Sequence, residues 1–295
     1  MMSAPPEARF RYSRVSPRRQ SETNGGYAKA ANILLAPLLG SSLLFPRRFD
    51  KVVHELLSGG AAGALAPQYA RWYFGPHLHL EVDPAKLMNR ISDFVVDHSS
   101  VRWIGATFLD AADWSGALAP IKRSPIHREM SEIAIAGSDY RGTLAHRMFL
   151  RGQALGRPAR RNGVALATNA DIDAYFRYCF DLIESIKAHG VVARRTFGRV
   201  DLARLKHWQA RSPALDRTER DIGVTISAEG ELIRHLGGKH RTAIAQALDL
   251  PRMPVELRLV HVGWLAREAE ATGLPPHRAL IAGLKRIASA YAPRS

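Results

Sequence analysis

The chain has 295 residues, 46% apolar and 8% aromatic, with a formal charge of +15 and one cysteine. That length allows two compact domains or one large one with appendages, and the apolar content is that of a globular protein with a real core. A lone Cys179 excludes an intrachain disulfide and a multi-cysteine zinc site, and it fits a reducing, cytoplasmic setting. The basic balance leaves two partner classes open: an extended polyanion such as nucleic acid, or a local phosphate site on a generally basic surface.

Residues 1–26, "MMSAPPEARFRYSRVSPRRQSETNGG", carry no hydrophobic period and read as a flexible basic tail. The run from Ala30 to Phe45, "AANILLAPLLGSSLLF", is apolar but falls short of the ~20 residues of a spanning helix, and it contains Pro37 and Gly40. With Arg47 and Arg48 behind it, the segment 30–48 suits a buried helix or a peripheral membrane contact. A helix is predicted over Asp50–Ser58, stopped by Gly59 and Gly60. "HLHLEV" alternates as a strand does and sets His77, His79 and Glu81 on one face, a spacing that ligates metals as well as lining a half-buried strand. Asp83-Pro84 starts a predicted helix over Ala85–Val96, and "VRWIGATFLD" reads as a further strand. The chain from Asp110 to Arg128 reads as irregular, and Glu129 to Gly156 as loops with a helix. Carboxylates at Asp93, Asp97, Asp110 and Asp113, the pairs His127-Arg128 and His146-Arg147, and the cluster Asp139-Tyr140-Arg141 show no spacing that joins them into one site.

A helix with a wide apolar face opens at Thr168-Asn169-Ala170-Asp171 and ends at His189-Gly190, with N-cap and glycine C-cap signals at its two ends. Cys179 falls on that apolar face, where a thiol is a small buried hydrophobe. A charged stretch, 195–220, reads as an insertion. "IGVTIS" and "ELIRHL" flank Ala228-Glu229-Gly230 as a β-hairpin, followed by "GGKHR", a helix over Thr242–Leu248, the strand "MPVELRLVH" and a last helix over Pro276–Tyr291. His261 and Trp264 sit at the end of that strand, where packing under the last helix is the simplest use for both.

The loop "GGKHR" carries the chemistry. Two glycines turn the chain without Cβ clashes, and a helix begins whose first amides lack internal partners and hold the positive end of the dipole. An anion is stabilised there, and Lys239, His240 and Arg241 add donors at the same place. The GxxxxGK[ST] spacing of a Walker loop is absent. A glycine turn with solvated basic neighbours would share the same letters.

Taken in order, "LIESIKAHGVV", the hairpin, "GGKHRTAIAQAL" and "MPVELRLVH" resemble the ParB/sulfiredoxin superfamily over roughly residues 170–265. The resemblance implies an α/β (α+β) architecture: a small mixed-sheet nucleotide-binding domain at 166–265, after a mainly helical region at 27–165 and before a C-terminal helix at 266–295. It also implies ATP or CTP bound with Mg²⁺, used for phosphoryl transfer or hydrolysis, with an acceptor not named by the sequence. Gly237, Gly238, Lys239, His240 and Arg241 fall on the phosphate loop, and Glu184 and Ser185 on the element that faces the nucleotide. On this reading Glu184 is the candidate base or metal-linked carboxylate, although a solvated cap fits both residues equally. Lys239 stands where a sulfiredoxin carries its catalytic cysteine, so that activity is not expected. Too little chain follows Trp264 for the helix-turn-helix domain of a partition clamp. A ParB-like nucleic-acid-binding module and a membrane-peripheral interaction protein remain the alternatives.

Overall fold

The computed structural model describes residues 31–59, 65–91, 107–161, 164–193, 221–235 and 237–294. The basic tail, the insertion at 195–220 and the carboxylates Asp93 and Asp97 lie outside the described residues. Helices are α1 (31–39), α2 (Phe45–Leu57), α3 (Pro67–Phe74), α4 (Pro125–Ala136), α5 (Leu144–Ala154), α6 (Asn169–His189), α7 (Lys239–Ala247), α8 (Val262–Thr272) and α9 (Pro276–Ala290). Strands are β1 (His79–Val82), β2 (Asn89–Ile91), β3 (Leu109–Asp110), β4 (Leu118–Pro120), β5 (Arg160–Arg161), β6 (Val164–Ala165), β7 (Ile222–Ile226), β8 (Leu232–Arg234) and β9 (Met253–His261).

The mixed α+β architecture expected from the sequence is the one the chain adopts. One seven-stranded sheet runs β1-β9-β7-β8-β2-β4, with β3 added beside the far end of β9; β5 and β6 form a separate ribbon. β9 pairs antiparallel with β1 and parallel with β7, while β7 and β8 form the antiparallel hairpin. β9 sits centrally because "MPVEL" and "LV" are buried along almost its whole length, the continuous apolar pattern of a strand covered on both faces. Strands β1 to β4 come from the stretch read as mainly helical, so the sheet draws on both sides of residue 165.

Three local expectations change. Where a helix is expected over Ala85–Val96, the described part, 85–91, instead continues a 3-10 turn, Pro84–Lys86, into β2, and 92–96 lie outside the described residues. Asp83 Oδ1 accepts from Ala85 N at 2.9 Å and closes that turn. Asn89–Ile91 then gains ladder bonds from both β4 and β8, and this pairing overrides the local helical preference. Helix α2 starts at Phe45, five residues earlier than expected, because Phe45 and Phe49 bury completely against Phe74 with ring centroids 5.5 and 5.4 Å away. The strand β1 begins at His79, and His77 lies in a 3-10 turn before it, so the three-residue face drawn on "HLHLEV" does not form.

Helix α6 follows its signals closely. The Thr168 side chain accepts from Asp171 N and the Asp171 carboxylate accepts from Thr168 N, a reciprocal capping box. Gly190, at φ +69°, closes the other end. The buried face of α6 includes Ile172, Tyr175, Phe176, Cys179 and Ile183, and α6 packs with α4, α5 and α7. α4 in turn lies along α7, which carries the loop singled out by the sequence.

Candidate functional site

β8 delivers the chain to the loop. His235 N donates to Gly223 O at 2.7 Å, extending the hairpin one residue past Arg234. Gly237 and Gly238 follow at φ +75° and +68°, in the left-handed region that favours glycine. A Cβ on Gly238 would stand 2.4 Å from Ile222 Cγ1, so the loop also presses directly onto β7. Gly238 is the N-cap, and α7 therefore starts at Lys239 instead of Thr242 as the sequence suggested. Lys239, His240 and Arg241 form the first turn of the helix and do not precede it. The first helical bond, Thr242 N to Gly238 O, is 2.8 Å. Glycine has no side chain to cap with, so Gly238 leaves the amides of that first turn, at the positive end of the dipole, without a side-chain cap from the N-cap position.

The electrostatics of this turn are unusual. Burial pushes the His240 imidazole down to about 3, and the charges of Lys239, Arg161, Arg241 and Arg234 push the same way. These cations come from three elements: Lys239 and Arg241 from α7, Arg234 from β8 and Arg161 from the β5–β6 ribbon. Arg234 Nη1 donates to Gly237 O at 3.2 Å, which ties one of them to the loop backbone. On the other side, Arg258 Nη2 donates to Asp221 O at 2.6 Å, and its Nη1 lies 3.9 Å from where a Cβ on Gly237 would be. Arg258 is 3.3 Å from Glu256, whose other oxygen accepts from Arg71 Nε at 2.6 Å. His235, buried beside Arg258 and Arg234, is also held neutral, at about 3, chiefly by burial.

Beneath His240 lies a polar cluster that the sequence reading did not pick out. Glu129, from α4, is buried and accepts from the Tyr175 hydroxyl through a very short bond. Its other oxygen pairs with Arg161 Nη2 at 2.5 Å. Tyr175 Oη is 3.4 Å from His240 Nε2, so the chain Arg161–Glu129–Tyr175–His240 runs from the β5–β6 ribbon to the helix mouth. The Arg161 guanidinium lies over the Phe149 ring at 4.5 Å. Burial lowers the Arg161 pKa, and the bond to Glu129 more than reverses this, so it stays charged. Burial and nearby Glu129 push the Cys179 thiol far up, which makes it a packed hydrophobe, as expected, and no nucleophile.

The two residues proposed on α6 stand elsewhere. Glu184 and Ser185 are exposed, Glu184 pairs with Lys187 at 2.7 Å, and among the described residues neither bonds to the loop. Nine residues separate Tyr175 from Glu184, which at about 100° per residue is half a turn out of phase and ~13 Å along the axis. The face of α6 that meets His240 is therefore the one opposite Glu184.

The remaining candidates have structural partners. His127 Nε2 is 3.0 Å from Gln246 Oε1 on α7, and His146 pairs with Asp173 at 3.1 Å. Asp110 accepts from Trp114 Nε1 at 2.7 Å, and Asp113 caps Ser115 at 2.8 Å. His261 Nδ1 accepts from Gly263 N and caps α8, while Trp264 packs on Gly230 and Gly283. Among the described residues no group of three His, Cys, Asp or Glu is placed to hold a metal ion. A cleft of about 420 Å³ opens past the C-terminal end of α7, lined by Glu81, His189, Leu250 and Arg252 among others, and does not include the loop. Three buried polar atoms around the loop, His235 Nε2, Arg258 Nε and Thr242 Oγ1, have no hydrogen-bond partner among the described residues. Comparisons with protein families, with curated proteins and with solved structures return no match for this chain.

Proposed function

We propose that the chain binds a nucleoside triphosphate, ATP or CTP, by its phosphates at the mouth of α7 and uses it for phosphoryl transfer or hydrolysis. The observation that carries this reading is a helix N-terminus entered through left-handed Gly237 and Gly238, with no side-chain cap, whose first turn is Lys239, His240 and Arg241 and whose loop backbone holds Arg234. Backbone amides and the helix dipole favour an anion there, and arginines grip phosphate oxygens in pairs. A polyphosphate would bring its negative charge beside these basic residues, so binding and charge neutralisation act together. In phosphoryl transfer most of the rate comes from such positioning and neutralisation.

Of the carboxylates around the loop, Glu129 and Glu256 are engaged by guanidinium groups, and the buried Asp221 carboxylate lies 3.8 Å from His79 Nδ1. Mg²⁺ would therefore arrive on the nucleotide, coordinated mainly by phosphate oxygens and water. Glu129 fits a positioning role, because it holds Arg161 in a buried pair and accepts from the Tyr175 hydroxyl, which is 3.4 Å from His240 Nε2. Glu184 stands exposed on the outer face of α6, paired with Lys187, and is not part of this reading.

Thermal melting with ATP, ADP, CTP and GTP, each with Mg²⁺, tests the reading. A ligand at 100 times its dissociation constant stabilises the native state by about 2.7 kcal/mol, a readily measured shift. The expected result is a shift with one triphosphate that is abolished in Lys239→Ala and in Arg241→Ala. No shift with any nucleotide, or the same shift in both variants, refutes it.

A further inference from the structure

Helix α1 is turned inside out. Its inward face carries Asn32, Ala36 and Gly40: Asn32 Oδ1 accepts from the Tyr69 hydroxyl at 2.6 Å, Ala36 is buried, and Gly40 lies against Tyr69 and Trp72. A Cβ on Gly40 would come within 2.6 Å of Trp72 Cβ, so the helix sits tightly on α3 by its small residues. Apart from Leu39, which packs against the core, its large residues point the other way. Leu34, Leu38 and Leu43 are 79%, 58% and 82% exposed, joined by Ile33, Leu35 and Leu44, with the exposed Trp72 indole beside them. An apolar surface this concentrated marks a contact with something outside the molecule.

The charge around the patch identifies that something. No Asp or Glu occurs from residue 31 to 49, and exposed Arg47 and Arg48 adjoin the leucines at the start of α2. The residues ahead of the patch, 8–30, add Arg9, Arg11, Arg14, Arg18, Arg19 and Lys29 against one acid, Glu22. Two copies meeting through this face would bring these cations together, so self-association is disfavoured. The patch itself offers almost no hydrogen-bonding side chains beyond Ser41 and Ser42, so it has little with which to specify a folded partner. It cannot cross a bilayer, since no described helix is long and apolar enough. Exposed leucines, a tryptophan at their edge and flanking arginines are what an anionic lipid surface takes up, with the apolar residues below the headgroups and the cations among them. We infer that the edge formed by α1, the turn at 41–44, Trp72 and the first turn of α2 docks on an anionic membrane. This does not depend on nucleotide binding, since none of these residues borders the loop.

Flotation of the full chain with phosphatidylcholine vesicles, with and without phosphatidylglycerol, tests it. Binding should need the anionic lipid, weaken with added salt, and fall about tenfold or more in Leu34→Glu/Leu38→Glu and in Arg47→Glu/Arg48→Glu. All four side chains are exposed, so melting temperatures should match the parent protein and any loss reports on docking. Brominated lipid should quench part of the tryptophan emission, and Trp72→Phe should remove that part. Unchanged flotation of the leucine variant would mean that the basic tail binds alone, and equal binding to neutral vesicles would mean that charge is irrelevant. No flotation of the parent protein, with a dimer that the leucine variant dissociates, would mean that a second copy covers the patch. Each of these three outcomes overturns the inference.

Discussion

Glu129→Ala is the most informative single change. Glu129 is 3% exposed and its pair with Arg161 is largely closed off, the arginine side chain being 19% exposed. Removing the carboxylate leaves a buried guanidinium without its counter-charge, which typically costs 3–5 kcal/mol. It also takes away the acceptor of the buried Tyr175 hydroxyl, worth about 1–3 kcal/mol by itself, though the two losses overlap and do not sum. The expected destabilisation is therefore about 3–5 kcal/mol in urea unfolding, with an unchanged dependence on denaturant. Glu129→Met/Arg161→Met removes both charges and replaces them with apolar groups of similar length. That double variant should recover most of the loss, because the cost of the single change lies in the unpaired charge. With Glu129→Met and Arg161→Met also measured singly, the closed cycle should give a coupling energy above about 2 kcal/mol. A single variant that loses less than about 1 kcal/mol, or a double variant whose loss is the sum of the singles, would show that the cluster is not the buried pair described.

Two further outcomes follow from the same region. Gly238→Ala forces a Cβ to within 2.4 Å of Ile222 Cγ1 at φ +68°, so it should cost about 2 kcal/mol or more in thermal or urea unfolding, whereas an equal or more stable protein would refute the close approach. His235 and His240 are held at about 3 in the folded chain, chiefly by burial, against about 6.5 when unfolded. Between those values the unfolded chain binds the extra protons, so stability is present above pH ~6.5 and is lost as pH falls towards 3, by up to about 1.4 kcal/mol per pH unit for each ring. Urea midpoints measured from pH 7 down to 4.5 should show that slope, reduced by roughly half in His235→Gln; a flat profile would refute it.

The parts of this fold that could be read from the sequence are those whose signals are local. Thr168 and Asp171 lie three residues apart and announce the start of α6, and Gly190 announces its end. The β7–β8 hairpin turns at Ser227–Gly230, where Gly230 N donates to Ser227 O at 3.1 Å and the flanking alternation points to both strands. The loop glycines were equally plain. Lys-His-Arg reads as loop composition, which points to Thr242 as the start of α7, whereas the left-handed conformation of Gly238 sets the first turn at Lys239. Pairing partners distant in sequence were the weak point: "LMNRI" contains no mark of the β8 strand it joins, so its helical preference was taken at face value.

The chemistry beneath the loop was hidden for a related reason. Glu129 and Tyr175 are 46 residues apart, and Glu129 and Arg161 are 32 apart, so no spacing rule links them. Nothing in "PIHREM" marks Glu129 as buried, and within "AYFRYCF" Tyr175 belongs to an apolar face that is buried in the fold; neither stretch carries a sign that the two meet. A sharper use of periodicity was available at one point. Tyr175 and Glu184 lie half a turn out of phase on a single helix, so only one of them can face α7. The apolar residues around Tyr175 already marked its side of α6 as the inner one. Placing the polar function on the outer edge gave weight to a motif over the phase of the helix, and it is the phase that decides which side chain reaches His240.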